Sequence, residues 1–377
     1  MGQRIPCAFI RGGTSKALVF HRKDLPADRA AWDAIFLRAM GSPDPYGRQL
    51  DGMGGGVSSL SKVCVIGPPS VPDADVDYTF AQVQVREALV DYSGNCGNMS
   101  SAIGPFAVDE GLVDAPRDGD AVVRIHNTNT RKIIRSTFAV QGGRSVEAGP
   151  LEIPGVHGTG APVRLDFLEP GGASTGQLLP TGRAMDDLAV AGHGHVQASM
   201  VDAANACVFV DAQSLGLCGA ELPDELDALP DVLARLKRIR LAASVAMGIA
   251  ASVDEASRRP MIPLIAFVSA PQDTAIIGGK VVQAADCDLV VRMISNGQPH
   301  RALPLTGSLC TAVAAKVEGS IPHRLAARRT GGPLRLAMPS GVISVNASVV
   351  RRGPGWHAEH GSFYRTTRRL FEGWVHA

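Results

Sequence analysis

A chain of 377 residues is longer than one hydrophobic core usually supports, so its length predicts two domains. The composition is that of an ordinary globular protein, and the 37 basic and 36 acidic residues nearly balance, which argues against nucleic acid or an anionic membrane as a partner. The seven cysteines are scattered, with no C-x-x-C pair and no Cys–His ligand spacing, which argues against a zinc site and a disulfide framework.

The first half of the chain is predicted to be rich in strands. Short β-branched runs separated by clusters of Gly, Pro and Asp occur at residues 5–10, 17–20, 62–67, 79–85 and 121–127. Helices are predicted over 26–40 and over 97–111. A loop rich in Gly, Pro and Thr at 169–183 is the best domain boundary, so we expect halves of 1–180 and 181–377.

The second half repeats this pattern. Strands are predicted over 206–211, 264–270 and 289–295, and one or two amphipathic helices over 224–256. A Gly/Ser turn then leads Cys310 into a helix of small residues, just as a polar turn leads Cys96 into the helix of the first half. This suggests an internal duplication, although coincidence explains the pair of helices equally well. If the duplication is real, the two helix N-termini face each other across a cleft, where small-molecule sites tend to lie.

The segment Ser93–Ser101, SGNCGNMSS, gives the strongest functional signal. Its glycines and asparagines predict a tight turn that places Cys96 at the first turn of a buried helix. Unpaired backbone N–H groups and the positive end of the helix dipole attract anions there and favour the thiolate form of a cysteine. Cys96 is therefore a candidate catalytic thiol. The alternative is a small buried hydrophobic side chain, which is what most free cysteines are.

Two further segments contain groups suited to an acidic substrate. In Arg11–Lys16, RGGTSK, the glycine amides and the hydroxyls of Thr14 and Ser15 can direct several donors at one carboxylate, although an ordinary hairpin connection has the same composition. Lys62 follows a glycine-rich loop and starts a predicted strand. If this lysine is enclosed, desolvation lowers its pKa and makes it a competent base. The alternative is a solvated lysine at a strand end.

Short motifs also allow a serine acyl-transferase as an alternative. Ser59 and Lys62 fit the pattern S-x-x-K. Ser93 and Asn95 fit S-x-N, but the third element of that set, K-T-G or K-S-G, is missing. The phosphate-loop spacing, the G-x-S-x-G motif and a dinucleotide-binding fingerprint are missing as well, and the histidines show no ligand spacing.

In chain order, the segments RGGTSK, GGGVSSLSK, VDYSGNCGN, LLPTGRAMDD and LPLTGSLC resemble those of the PrpF-type isomerases, and the resemblance covers essentially the whole chain. That family includes 2-methylaconitate isomerase and 4-oxalomesaconate tautomerase. The resemblance implies an α/β (α+β) fold like that of diaminopimelate epimerase, with two pseudo-symmetric halves that each wrap a mixed β-sheet around a central helix. It also implies a proton-transfer enzyme that uses neither cofactor nor metal and acts on small unsaturated polycarboxylates.

The resemblance implies catalytic roles for two residues. Lys62 matches the lysine expected to act as base, and Cys96 matches the first cysteine of the epimerases, here a partner acid or a positioning group. Cys310 ranks below Cys96 because it lies two residues beyond the second turn. Moving a C=C bond along an unsaturated acid passes through a dienolate, whose charge helix N-termini and Gly/Ser amides stabilise. By motif position, the residues expected to bind substrate are Arg11, Thr14, Ser15, Ser93, Asn95, Gly97, Asn98, Met99, Asn205, Arg301, Thr306, Gly307 and Ser308.

The wording of the motifs predicts 4-oxalomesaconate as the substrate, a keto tricarboxylate of gallate and protocatechuate 4,5-cleavage. Isomerisation of 2-methylaconitate is the second candidate, and a non-catalytic protein that binds an aconitase-like partner is the third. Because no signal pattern and no bilayer-spanning apolar stretch occurs, we expect a cytoplasmic protein with neither a membrane nor nucleic acid as partner. The C-terminal tail is expected to pack back on the first half. The oligomeric state stays open, with a homodimer as one candidate.

Overall fold

The computed structural model describes residues 4–327, 332–353 and 355–377. The chain divides into two compact units, the first made of Met1–Asp166 with Tyr364–Ala377 and the second of Phe167–Phe363. No helix in the described part of the chain is long and apolar enough to cross a membrane.

Up to residue 168 the chain forms mostly strands, with two α-helices between them. The five strands predicted in this region are confirmed by strands at Arg4–Gly12, Ser15–His21, Lys62–Gly67, Val76–Val83 and Gly119–Asn127. The elements are β1 (Arg4–Gly12), β2 (Ser15–His21), α1 (Trp32–Met40), β3 (Lys62–Gly67), β4 (Val76–Val83), β5 (Val90–Asp91), α2 (Gly97–Asp109), β6 (Gly119–Asn127), β7 (Lys132–Gln141), β8 (Arg144–Ser145), β9 (Leu151–Glu152), β10 (Thr159–Gly160) and β11 (Val163–Leu168).

The remainder of the chain has the same mixed character. The region predicted as one or two helices contains three, at Pro223–Asp227, Pro230–Ala246 and Val253–Ser257. The elements are β12 (Asp186–Val190), β13 (Gly194–Ala203), β14 (Asn205–Asp211), α3 (Pro223–Asp227), α4 (Pro230–Ala246), α5 (Val253–Ser257), β15 (Leu264–Ser269), β16 (Thr274–Ala275), β17 (Val281–Val282), β18 (Leu289–Ser295), β19 (Gln298–Pro299), α6 (Leu305–Ala314), α7 (Ile321–Leu325), β20 (Leu334–Met338), β21 (Gly341–Arg352), β22 (Gly355–Arg365) and β23 (Thr367–His376).

In the first unit a mixed sheet surrounds α2. Strand β1 pairs antiparallel with β2 and with β23, and β2 pairs parallel with β3. The sheet continues through an antiparallel pairing of β3 with β4 and a parallel pairing of β4 with β6. Helix α2 packs against β1, β2, β6 and β7, and its residues from Gly97 to Val108 are buried. An apolar, small-residue helix of this kind fits a site enclosed on all sides.

The second unit has a corresponding arrangement around α6. Strand β13 pairs antiparallel with β14, which pairs parallel with β15, and β15 pairs antiparallel with β18. Strand β20 then pairs parallel with β18 and antiparallel with β21. All ten residues of α6 are buried, and the helix packs against β13, β14 and β21. Each unit therefore contains a mixed sheet and one enclosed helix, which confirms the predicted α/β class.

The helix predicted over 26–40 begins later than expected. Residues 29–31 form a 3₁₀ turn, and the regular helix α1 starts at Trp32. The side chain of Asp28 accepts a hydrogen bond from the backbone N–H of Ala30 at 2.9 Å, which stabilises a local turn in competition with an α-helix. The helix ends as predicted, with Gly41 in the left-handed conformation at φ 72°.

A glycine at the end of β1 allows this strand to lie directly against the first turn of α2. A Cβ atom on Gly12 would lie 2.7 Å from the carbonyl oxygen of Asn98 and 3.1 Å from the Cα atom of Met99. Both contacts are with backbone, which cannot move aside as a flexible side chain would. Gly12 therefore fixes how closely the sheet approaches the start of α2.

We predict that Gly12→Ala destabilises the protein by about 1–3 kcal/mol, the usual range for overpacking a tightly packed interior. The measurement is the free energy of unfolding in urea. Gly373→Ala, in β23, is the matched control, because a Cβ atom there meets nothing within 4 Å. Equal stability of Gly12→Ala and the control would show that the contact between β1 and α2 is less tight than described.

Candidate active site

The pairing of β3 places Lys62 in the interior of the first unit. Val63 and Val65 belong to the hydrophobic core around α1, so the alternation of side chains directs Lys62 to the opposite face of the sheet. Within the sheet, Lys62 is paired with Ala17 of β2 and with Gln82 of β4. A small side chain therefore lies on one side of the lysine and an amide on the other. Only 6% of Lys62 is exposed.

The environment of Lys62 favours a neutral amine. Its Nζ donates a hydrogen bond to Gln82 Oε1 at 2.5 Å and lies 5.0 Å from the centroid of the Phe80 ring. Burial lowers the pKa of Lys62, an effect that the thiols of Cys96 and Cys64 oppose without cancelling. A lowered pKa increases the fraction of amine that can accept a proton. The alternative of a solvated lysine at a strand end is wrong.

Cys96 lies at the N-cap position of α2, directly before Gly97, and is 9% exposed. Its Sγ atom is 4.0 Å from Ser15 Oγ at the start of β2. Because the first N–H groups of a helix have no partner within it, the start of α2 offers donors and a positive dipole end beside this thiol. Since the charge of Cys96 affects the pKa of Lys62, the two predicted catalytic residues interact electrostatically.

Asn98, in the first turn of α2, connects the helix to the turn between β1 and β2. Its Nδ2 donates to Thr14 Oγ1 at 3.1 Å. Its Oδ1 accepts a hydrogen bond from Arg365 Nε, also at 3.1 Å. The structure thus joins Thr14 to Asn98 and Ser15 to Cys96, so four of the predicted residues come together at the start of α2.

Arg11 stabilises the same turn, which connects β1 to β2. Its Nη1 donates to the carbonyl oxygen of Gly13 at 3.0 Å and to both the carbonyl oxygen and Oγ1 of Thr366, at 2.9 and 3.0 Å. Burial lowers the pKa of Arg11, and repulsion by Arg368 lowers it further. These contacts give Arg11 a part in holding the turn, and its binding of substrate stays a prediction.

Ser93 and Asn95 shape the segment before Cys96. The backbone N–H and the hydroxyl of Ser93 both donate to Asp91 Oδ1, at 2.8 and 2.5 Å. Asn95 is 2% exposed, and its Oδ1 accepts a hydrogen bond from Asn127 Nδ2 at 3.3 Å. These contacts hold the turn that presents Cys96.

Arg365 is not among the residues predicted from the sequence to form the site. It lies at the end of β22, is 6% exposed, and donates from Nη1 to the carbonyl oxygen of Tyr364 at 3.0 Å in addition to its bond with Asn98. Burial lowers its pKa to about 10. A signal was present: Phe363 and Arg365 occupy inward positions around exposed Tyr364, and a charged residue at an inward strand position is unusual.

In the second unit, two predicted residues contact each other. Asn205 Nδ2 donates to Thr306 Oγ1 at 3.0 Å, and both side chains are buried. Ser308 Oγ donates to the carbonyl oxygen of Pro304 at 3.1 Å, across the first turn of α6. A Cβ atom on Gly307 would lie 2.4 Å from Met293 Sδ, so this glycine allows α6 to lie against β18.

The side chains of Cys310 and Arg301 take no part in the hydrogen bond between Asn205 and Thr306. Cys310 is fully buried, and its Sγ donates to the carbonyl oxygen of Val201 at 3.3 Å, which is a packing contact. Arg301, by contrast, has a side chain that is 61% exposed and forms an ion pair with Asp224 at 2.8 Å. Its binding of substrate stays a prediction.

The side chains that commonly bind metal ions are dispersed in the described part of the chain. Within 4–327, 332–353 and 355–377, no group of three or more His, Cys, Asp or Glu side chains is arranged to hold a metal ion. The candidate site in the first unit thus consists of one amine, one thiol, hydroxyls, an amide and a guanidinium group. Such a set can bind carboxylates and move protons.

Comparison with known proteins gives relatives over the whole chain. The PrpF protein family matches residues 2–377. The 3-methylitaconate isomerase of Eubacterium barkeri is 42% identical, over 99% of this chain and 97% of the relative. The 2-methyl-aconitate isomerase of Cupriavidus necator is 40% identical, over 99% and 96%. The (4E)-oxalomesaconate Delta-isomerase of Novosphingobium sp. strain KA1 is 37% identical, over 98% and 96%.

Solved structures agree with these sequence matches. The crystal structure of a methylitaconate delta-isomerase has a TM-score of 0.78 at 41% identity and covers 99% of this chain and 95% of its own. A hydroxyproline epimerase from Agrobacterium vitis, only 11% identical, has a TM-score of 0.58 over 100% of this chain and 94% of its own, and it shares the fold alone. The epimerase-like fold is thus confirmed. With a match that spans almost its whole length, the chain belongs to the PrpF family and is an isomerase.

Proposed function

We propose that this isomerase catalyses a 1,3-proton shift that moves a C=C bond in a small unsaturated polycarboxylate, with Lys62 as the base. The observation that carries the proposal is the enclosed amine of Lys62, whose pKa is lowered by burial beside Cys96 and the start of α2. A lowered pKa increases the fraction of neutral amine, which can remove a proton from carbon, and general bases contribute about 10²–10⁴-fold to a rate. The isomerase names of the relatives support the same reaction class.

The proposed step conserves protons and electrons. Lys62 Nζ takes the γ-proton of the allylic carbon and becomes an ammonium group, while the electron pair moves into a dienolate. A proton is then added at the α-carbon, either by Lys62 or by the Cys96 thiol, which in turn recovers its proton from Lys62. The N–H groups at the start of α2 stabilise the negative charge of the dienolate.

The carboxylates of such a substrate require donors close to the base. Arg365 supplies a buried positive charge next to Asn98, and a charge-assisted hydrogen bond from a guanidinium to a carboxylate is about twice as strong as a neutral one. Thr14 accepts from Asn98, which leaves its own O–H as a donor. Ser15 offers a second hydroxyl beside Cys96. We assign these groups to the binding of one carboxylate.

Relatives with three different substrate names match this chain over almost its whole length. The three named relatives act on 3-methylitaconate, 2-methylaconitate and oxalomesaconate according to their names, yet they lie within 37–42% identity of this chain. Identity therefore does not select among them. From the residues of its motifs we propose 4-oxalomesaconate as the specific substrate, with 2-methylaconitate as the second candidate.

Proton exchange with solvent tests the proposed reaction. In D₂O, the wild-type protein is expected to exchange an allylic proton of 4-oxalomesaconate, 2-methylaconitate or 3-methylitaconate and to shift the C=C bond, followed by ¹H NMR at equal substrate concentration. Lys62→Met, which keeps the volume but removes the amine, is expected to slow exchange by about 10²-fold or more. Cys96→Ala is expected to slow isomerisation, since one proton-transfer partner is lost.

Cys310→Ala is the matched control, because that thiol makes a packing contact. It is expected to leave the exchange rate close to that of the wild type. Exchange in Lys62→Met at the wild-type rate would exclude Lys62 as the base. An absence of exchange with all three substrates would exclude them as substrates and would overturn the proposed reaction.

The second prediction is the pH dependence. Because only the neutral amine of Lys62 can act as base, kcat/KM is expected to rise with pH and to level off below the ordinary lysine pKa of about 10.4. Between the lowered pKa of the folded state and 10.4, Lys62 is protonated in the unfolded chain but neutral in the folded protein. The free energy of unfolding of the wild type is therefore expected to rise with pH in that window. Lys62→Met should lack this rise in urea unfolding. A kcat/KM limb centred at the ordinary lysine pKa would contradict the proposed environment.

The third prediction tests Arg365. Arg365→Met is expected to raise KM by roughly 10–100-fold, because a hydrogen bond to a charged group contributes about 1.5–3 kcal/mol. Arg365→Lys keeps the charge and is expected to lose less. Arg38→Met, which removes an arginine that is 61% exposed, is the control and should leave KM unchanged. A fall in kcat with an unchanged KM in Arg365→Met would contradict the binding role.

A further inference from the structure

Within the described part of the chain, the amine of Lys62 forms a hydrogen bond with Gln82. The two residues are direct partners in the antiparallel pairing of β4 with β3, so their side chains lie on the same face of the sheet. Ala81 and Val83, on either side, belong to the hydrophobic core around α1, which places Gln82 on the opposite face. Only 1% of Gln82 is exposed.

The orientation of the Gln82 amide is fixed by backbone oxygen atoms. Its Nε2 donates to the carbonyl oxygens of Ser61 at 2.9 Å, Ser58 at 3.1 Å and Val83 at 3.4 Å. Since carbonyl oxygens only accept, the reversed amide would set oxygen against oxygen at all three contacts. Oε1 must therefore face Lys62, and it can only accept a hydrogen bond from the amine.

We propose that Gln82 is a positioning residue for Lys62, which holds one N–H of the amine and so directs its lone pair away from β4. The inference rests on the proposed function of Lys62 as base. A neutral amine has two N–H bonds and one lone pair, and it rotates freely about Cε–Nζ unless an acceptor holds it. With one N–H on Oε1, the direction of the lone pair is restricted before substrate binds, which is how fixed geometry contributes to a rate.

An amide suits this position better than a carboxylate. Hydrogen bonds to an ammonium group are stronger than those to a neutral amine, so Gln82 moderately favours the charged form and opposes the effect of burial. A carboxylate there would favour the ammonium far more and would reduce the fraction of neutral amine that can act as base. The titratable groups that act on the amine are Cys64 on its own strand and Cys96 before α2, and Tyr78 on β4 contacts Cys64 at 3.8 Å.

The test measures the titration of Lys62 directly. The chain contains only seven lysines, at positions 16, 23, 62, 132, 237, 280 and 316, so ¹³Cε-lysine NMR of the full-length protein is tractable, and Lys62→Met assigns the signal. Gln82→Glu, which is isosteric, is expected to raise the pKa of Lys62 by about 1–3. Gln82→Met is expected to lower it, because the acceptor is lost. In the exchange assay, Gln82→Met should reduce kcat by about 10²-fold with little change in KM.

Gln49→Met is the matched control. Gln49 is buried to the same degree and donates from Nε2 to the hydroxyls of Ser42 and Ser61, but its described bonds do not include Lys62. It is expected to reduce stability and to leave the Lys62 titration unchanged. An unchanged Lys62 titration in folded Gln82→Glu would overturn the proposal, and this isosteric variant decides the question even if Gln82→Met unfolds.

The two proposals fail in different ways. If the wild type exchanges none of the three substrates, the proposed function fails, while the titration still reports whether Gln82 controls the amine. If exchange depends on Lys62 but neither the titration nor kcat responds at position 82, the proposed function stands and the positioning role is wrong.

Discussion

The site in the first unit depends on the removal of one amine from water. In water the ammonium form of lysine is stabilised by hydration, and burial takes that stabilisation away, so the neutral form gains at Lys62. An enclosure of this kind needs packing on every side of the side chain. Ala17 on β2 leaves room for the lysine, Gln82 on β4 gives it an acceptor, and the Phe80 ring lies close to Nζ. The mixed sheet is thus what makes an ordinary lysine suitable as a base.

The sequence predicts those parts of the site that lie within one continuous segment. The turn before Cys96, the helix that starts at 97 and the strand that starts at Lys62 are all set by local glycine, proline and apolar patterns, and the structure has each of them. The contacts of Gln82 with Lys62 and of Arg365 with Asn98 could not be found in this way. Gln82 lies 20 residues from Lys62, and Arg365 lies 267 residues from Asn98, so both contacts depend on strand register and on chain segments far apart.

Two arginines that contact the turn between β1 and β2 or the start of α2 show the same limit. Arg11 belongs to a recognisable motif, and that motif predicts a carboxylate-binding role, but its described donors hold the turn and Thr366. Arg365 belongs to no motif and yet brings a buried charge to Asn98. Motif position identifies which segments build a site. How the fold orients each guanidinium group depends on contacts between distant segments, and a one-dimensional pattern does not contain that information.

The two cysteine-containing helices show how a repeated pattern can serve different chemistry. Both helices are buried, but the turn predicted before Cys310 is wrong, because Thr306, Gly307 and Ser308 belong to the first turn of α6 itself. Cys96 is the N-cap of α2, whereas Cys310 is the sixth residue of α6. The field of a helix end falls off within about its first turn, so only Cys96 lies where unpaired N–H groups act on a thiol. Cys310 instead donates to the carbonyl oxygen of Val201. A shift of a few residues along a helix therefore separates a candidate proton-transfer group from a packing residue, and a duplicated scaffold need not carry a duplicated site.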